Sequence, residues 1–243
     1  MRRILEPELM NDSFQVEAYE NADFSKSDKD LIFALEKLLK QKEINEDSIR
    51  LIIDIGCGPG KITELLSARW PNTKVIGIDG AESMIKRAIK RHQKDFGHLI
   101  NLSYLCIDIA DINRSNLLKV GSADVIISNS FLHHLHQPNI LWNVSKYLAA
   151  PGAIHFHRDL RRPESLDQAN QILLKHNKNT SPILTRDYLA SLLAAFTVEE
   201  VKLQLEEQSL QSFKVIEIGD RYLQVIGSAT DPVPKKSAYL FNS

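Results

Sequence analysis

The sequence predicts an α/β fold, a mostly parallel sheet with helices on both faces, and three observations carry that reading. Short apolar runs alternate with helix-length amphipathic segments, the pattern parallel strands impose because each crossover needs a helix. The runs are near-continuous Ile, Val and Leu, which suits strands covered on both sides. A chain of 243 residues with 43% hydrophobic content supports one sizeable core.

Taken in order, Leu31, Ile32, Leu35, Leu38 and Leu39 form one stripe of a helix over Lys29–Gln41, with Ser27 and Asp30 as its start signal. Strands follow at Arg50–Ile55, Lys74–Ile78, Leu102–Ile107, Asp124–Ser128 and Ala153–Phe156. Helices between them span Lys61–Trp70, Ala81–Lys94 and Asn139–Ala149, the last opened by Pro138, whose missing N–H is harmless in a first turn. A helical stretch then covers Glu164–Lys175 and Arg186–Phe196, with Thr185 as N-cap. Thr197 and Glu200 have capping-box spacing for a helix to Glu207, and strands Phe213–Glu217 and Tyr222–Ile226 close the series. The expected organisation is a helical cap over 1–48, a core over 49–230 with a helical insertion at about 163–196, and a loose tail over 231–243.

The formal charge of −1 advertises neither nucleic acid nor an anionic membrane as partner. No apolar run approaches the roughly 20 residues that cross a bilayer. Cys57 and Cys106 lack metal-ligand spacing, so a reduced, cytoplasmic protein is expected.

The sharpest local signal is Asp54-Ile55-Gly56-Cys57-Gly58-Pro59-Gly60, at the end of a strand and the start of a helix. Glycines there allow a tight turn and close approach of a ligand to the backbone. A dinucleotide loop needs its third glycine three residues after the second, and here it comes one position early. Asp54 would repel a pyrophosphate but attract the ammonium group of a methionine moiety, so the charge favours S-adenosylmethionine (SAM). Asp79, ending the second strand, suits two ribose hydroxyls.

Together with GIDGAESM (77–84), CIDIAD (106–111), SNSFLHHL (128–135) and YLAAPGAIHF (147–156), this loop resembles the class I SAM-dependent methyltransferase family. The resemblance implies a Rossmann-like, seven-stranded sheet whose last strand inserts antiparallel beside the fifth, under a helical lid. By position it implies that Gly56, Gly58 and Gly60 line the methionine tail, with Asp54 near its amino group. Asp79 and Gly80 would hold the ribose, Met84 would face the adenine ring, and Asp108 and Ile109 would meet its edge. Asn129 would lie near the sulfonium, and Tyr19 resembles a tyrosine that closes over the cofactor. Met84 and Tyr19 also fit plain packing on amphipathic stretches.

Methyl transfer from a sulfonium requires alignment of the acceptor and exclusion of water, with a base only where the acceptor must lose a proton. His133, His134 and His136 follow Asn129 at the carboxyl end of a strand, and His133 is the candidate base. The alternative is that these histidines orient the next helix. No carboxylate or cysteine completes a metal set locally, so no metal is expected. Arg158 and Asp159 are candidates to border the acceptor, while Arg161 and Arg162 suit ion pairs in a loop. A helical insertion that encloses a pocket favours a small acceptor. Asn129-Ser130-Phe131 lacks the two prolines used by methylases of exocyclic base amines, and the basic run Lys86–Lys94 suits a solvated helix face. The competing readings are an RNA methyltransferase, an NAD-dependent oxidoreductase and a non-enzymatic SAM-binding protein. Oligomeric state is not legible.

Overall fold

The computed structural model describes residues 1–9, 16–19, 22–177 and 181–228; the tail expected over 231–243 lies outside the described residues. The elements are α1 (Ser25–Gln41), β1 (Leu51–Ile55), α2 (Lys61–Arg69), β2 (Lys74–Asp79), α3 (Glu82–Asp95), β3 (Leu102–Cys106), α4 (Ile112–Ser115) and β4 (Ala123–Asn129). They continue with α5 (Asn139–Leu148), β5 (Ala149–Leu160), α6 (Leu166–His176), α7 (Pro182–Ala194), α8 (Val198–Glu207), β6 (Lys214–Ile218) and β7 (Tyr222–Ser228). The seven strands lie in the order β3-β2-β1-β4-β5-β7-β6. β1 to β5 run parallel, and β7 inserts antiparallel between β5 and β6.

Strand order reverses between β1 and β4, where open α/β sheets bind ligands beyond the strands' carboxyl ends. Register fixes which side chains face that crevice together. Asp54 lies level with Gly77 of β2 and Ile127 of β4, Asn129 with Arg158, and Arg158 with Gln224. Because side chains alternate along a strand, Asp54, Asp79, Asn129, Arg158 and Gln224 all project from one face. That face packs Ile52, Val75, Val125, Ile127 and Phe156 against Leu31, Leu35 and Leu39 of α1 and Leu66 of α2. The opposite face buries Ile53, Ile55, Ile76 and Ile126 with Trp142 of α5 and Val201 and Leu205 of α8.

Most boundaries agree with the sequence to within two residues, and three elements differ by more. α1 begins at Ser25, one turn before Lys29, after a turn in which Asp23 accepts from the Ser25 N–H at 3.0 Å; Ser27 and Asp30 are already helical. β5 extends from Ala149 to Leu160, well past both expected ends, because buried polar residues in His155–Asp159 break the apolar run without breaking the ladder. α7 starts at Pro182, capped by Ser181 rather than Thr185, whose hydroxyl instead donates to the Ser181 carbonyl.

The capping box at Thr197 is present: its hydroxyl accepts from the Glu200 N–H at 3.2 Å, and the Glu200 carboxylate accepts from the Thr197 N–H at 2.9 Å. Thr197→Ala is therefore expected to lower stability by about 1 kcal/mol, read as a lower urea midpoint at unchanged slope.

Candidate functional site

The glycine loop is folded by the strands beside it. The N–H groups of Gly56 and Cys57 both donate to the Ile78 carbonyl of β2, at 2.8 and 2.9 Å, which curls the chain over the end of β1. Gly56 has φ +72°, and a Cβ there would lie 2.2 Å from the Phe131 ring, so no other residue fits. Gly58 has φ +53° and would meet nothing within 4 Å: it presents bare backbone to open space. Gly60 closes the loop at the N-terminus of α2.

Asp79 ties this loop to α3. One carboxylate oxygen accepts from the Gly58 N–H and the other from the Ala81 N–H, both at 2.8 Å. Burial holds its pKa above the usual value against those two bonds. Each oxygen keeps a second lone pair, the capacity a pair of ribose hydroxyls needs. Gly80 lies under Leu9 and beside Asp108.

Asp54 is 2% exposed, and its carboxylate accepts from the Thr63 hydroxyl at 2.7 Å. Burial, reinforced by Asp79 and Asp28, pushes it up to about 7. Asp28, which the sequence reading did not single out, is also buried and raised to about 6, first by desolvation. Three carboxylates thus share this side of the sheet, a setting that disfavours anions and favours a cationic ligand.

Met84 is buried with Val16 and Ala81 in a small cluster that Tyr19 packs against, and Tyr19 stacks on Phe24 at 5.1 Å. Asp108 is exposed and caps the turn at 109–111 by accepting from the Ala110 N–H, whereas Ile109 is buried in the main core. Asn129 sits half-buried at the end of β4, level with Arg158.

Beyond Asn129 the chain turns through Ser130 at φ +51° and wraps around Asp159. The Asp159 carboxylate accepts from the N–H groups of Phe131, Leu132 and Leu160 at 2.8, 2.6 and 2.7 Å, and binds His133 Nδ1. Burial would raise Asp159, but His133 outweighs it and holds the carboxyl below its ordinary range. Burial would likewise lower His133, yet Asp159 and Glu6 hold it above its ordinary value. Asp159 therefore serves the fold of this turn, and it points away from the face that carries Asn129 and Arg158.

Arg158 is 6% exposed, and its guanidinium donates only to the Gln224 side-chain oxygen, at 3.2 and 2.7 Å, with no salt bridge among the described residues. By contrast Arg161 pairs with Glu217 at 2.9 Å and Arg162 with Glu200 at 2.6 Å. His155 and His157 share a face as their alternation requires, but they are buried against Phe213 and Trp142, away from the crevice. Glu6 is a further residue without a signal in the sequence: it lies against His133 and His134, brought there by an N-terminal segment that Arg3 pins to the carbonyls of His133 and Leu135.

Comparison with known proteins agrees with this geometry. A family model described as a methyltransferase domain matches residues 52–152. Over 131 residues, 53% of this chain, the sequence is 30% identical to a trans-aconitate 2-methyltransferase of Rhodopseudomonas palustris (strain BisA53). It is 34% identical, also over 131 residues, to a malonyl-[acyl-carrier protein] O-methyltransferase of Bacillus cereus. The match spans less than half of each relative, 44% in both cases. A SAM-dependent methyltransferase from Aquifex aeolicus superposes with a TM-score of 0.62 at 22% identity, covering 88% of this chain and 97% of that one. A plantazolicin methyltransferase superposes with a TM-score of 0.67 at 16% identity, covering 88% and 89%. No helix among the described residues is long and apolar enough to cross a membrane. Residues 52–152 match a methyltransferase domain, and the chain that carries them has the fold of the class I SAM-dependent methyltransferases.

Proposed function

We propose that this protein is a SAM-dependent methyltransferase whose acceptor is a small molecule bearing an anionic group. The observation that carries the reading is the row Asp79, Asn129, Arg158 along one face at the switch point, with the open backbone of Gly58 above Asp79. It puts a site suited to a cationic nucleoside beside a buried cation that has no carboxylate of its own. The relatives named for trans-aconitate and a malonyl carrier protein are consistent with a small acidic acceptor.

The residues divide the work. Asp54, Asp28 and Asp79 supply negative potential for a net positive cofactor, and Asp79 holds the ribose hydroxyls. Asn129 ends β4 where the sulfonium would lie. Held by Asp54, Asp79 and Asn129, SAM would supply an electrophilic methyl group and would leave as neutral S-adenosylhomocysteine. Arg158 orients the acceptor for in-line approach by forking onto its anionic group. His133, held by Asp159, is a positioning residue that keeps the turn 131–135 beside Asn129.

Calorimetry with SAM, S-adenosylhomocysteine and NAD tests the cofactor: the first two are expected to bind and NAD is not. Asp79→Ala is expected to weaken SAM by about 1–3 kcal/mol through lost ribose hydrogen bonds. Unchanged affinity in the folded variant would remove Asp79 from the site, and binding of NAD in place of SAM would overturn the activity.

A further inference from the structure

The N-terminal segment and the turn after β4 build a second polar centre, on the side of the sheet to which Asp159 points. Glu6 Oε1 lies 3.4 Å from His133 Nε2 and 3.4 Å from His134 Nδ1. The three side chains are only 10%, 3% and 17% exposed. The other polar atoms of His133 and Glu6 are already committed. His133 Nδ1 is bound to the Asp159 carboxylate, and the second Glu6 oxygen accepts from the Ser191 hydroxyl at 3.2 Å.

That leaves His133 Nε2 and His134 Nδ1 as the imidazole nitrogens turned toward Glu6. Both face a carboxylate oxygen, and Glu6 Oε1 and His134 Nδ1 are buried without any hydrogen-bond partner. A proton on His133 serves only one of these contacts, whereas a cation among the three atoms takes a lone pair from each once that proton is released.

We propose that Glu6, His133 and His134 bind a divalent transition-metal ion of the zinc type. A tetrahedral ion with bonds of about 2.0–2.1 Å separates its ligands by about 3.3–3.4 Å, the spacing seen on both Glu6 edges. The two-imidazole, one-carboxylate set suits zinc and its borderline neighbours rather than calcium or magnesium. Asp159 behind His133 supplies the carboxylate that commonly orients a ligating histidine. The fourth position faces a surface pocket lined by Glu6, Pro7, Leu9, His134 and Asp187, which gives the ion an entry path. Arg3, Arg186, Asp159 and Asp187 are the other charged groups close by, and counted with Glu6 they leave the centre net negative. The ion clamps residues 1–9 to the turn 132–134 and is independent of the methyl-transfer reading.

The test uses tag-free, chelator-treated full-length protein titrated with Zn²⁺ by calorimetry and with Co²⁺ by visible absorption. One ion per chain is expected, with the intense bands of four-coordinate cobalt. Glu6→Gln and His134→Ala are each expected to weaken Zn²⁺ by about 100-fold, and loss of His98, an imidazole elsewhere on the chain, to leave it unchanged. Circular dichroism separates loss of the ion from loss of the fold. Absence of stoichiometric binding, absence of tetrahedral cobalt bands in the wild type, or full affinity in both ligand variants would each overturn the site.

Discussion

Arg158→Met is expected to lower kcat/KM for an anionic acceptor by about 10²-fold while leaving the SAM dissociation constant unchanged. Charge-assisted hydrogen bonds contribute about 1.5–3 kcal/mol each, and Arg158 has two directions of its fork available once Gln224 is counted. The same substitution is expected to leave stability within about 1 kcal/mol, because two effects oppose. Removing a buried cation with no carboxylate partner relieves a desolvation cost, whereas Gln224 loses its donor. A steady-state assay against a matched pair of acceptors, one acidic and one its neutral amide or ester, checks the claim. A selective loss for the acidic acceptor is the expected result. Equal losses for both would make Arg158 a packing residue, and Arg158→Lys, which keeps charge but not the fork, would then match the wild type in neither acceptor.

How much of this was legible in the sequence depends on how local each signal is. The strands and the loop 54–60 are set by neighbouring residues, so apolar runs and glycine spacing disclosed them. Asp54 and Asp79 were legible because a carboxylate that ends an apolar strand needs a reason to be there. The carboxyl end of β5 is less legible, since the apolar run stops at Phe156 and Arg158 and Asp159 read as the strand's margin until β4 and β7 flank them on both sides. Arg158 and Asp159 were picked together as adjacent residues, yet alternation sends them to opposite faces, and only register with Asn129 separates an acceptor contact from a turn-forming carboxylate. Glu6 is invisible in the sequence because its partners His133 and His134 lie far along the chain, in the turn after β4. The absence of a local ligand for those histidines led the sequence reading to expect no metal, and the fold supplies the carboxylate that spacing could not show. Asp28 lay inside a helix whose start was placed too late.

Asp54→Asn is expected to stabilise the protein measured without cofactor and to weaken SAM, two opposite effects from one buried charge. Burial raises the Asp54 carboxyl from the ordinary 3.8 to about 7. A folded-state pKa above the unfolded one means that the native state holds the extra proton between about pH 4 and 7, so stability contributed by this group is present below that window and is lost as pH rises through it. At about 1.4 kcal/mol per unit, the full deficit above pH 7 is at most about 4 kcal/mol. Asparagine carries no charge and still accepts from Thr63 through its amide oxygen. Denaturant titrations should therefore show the variant about 2–4 kcal/mol more stable than the wild type at pH 8, with the difference shrinking to about 1–2 kcal/mol at pH 5 and vanishing below about pH 4. His134 and His155, held down by burial to about 3 and about 4, work in the other direction: their unfolded forms take up protons below the ordinary imidazole range and favour unfolding there. Both proteins share those histidines, so their contribution cancels in the difference. Cofactor binding inverts the preference, because an ammonium group beside Asp54 stabilises the ionised form and draws its pKa down. Wild-type affinity for SAM should rise with pH up to about 7 as the proton need no longer be displaced, and the variant should bind about tenfold or more weakly with a flat profile. A stability difference independent of pH would mean that Asp54 ionises in its ordinary range, and the carboxylates of this face would then be solvated rather than waiting for a cation.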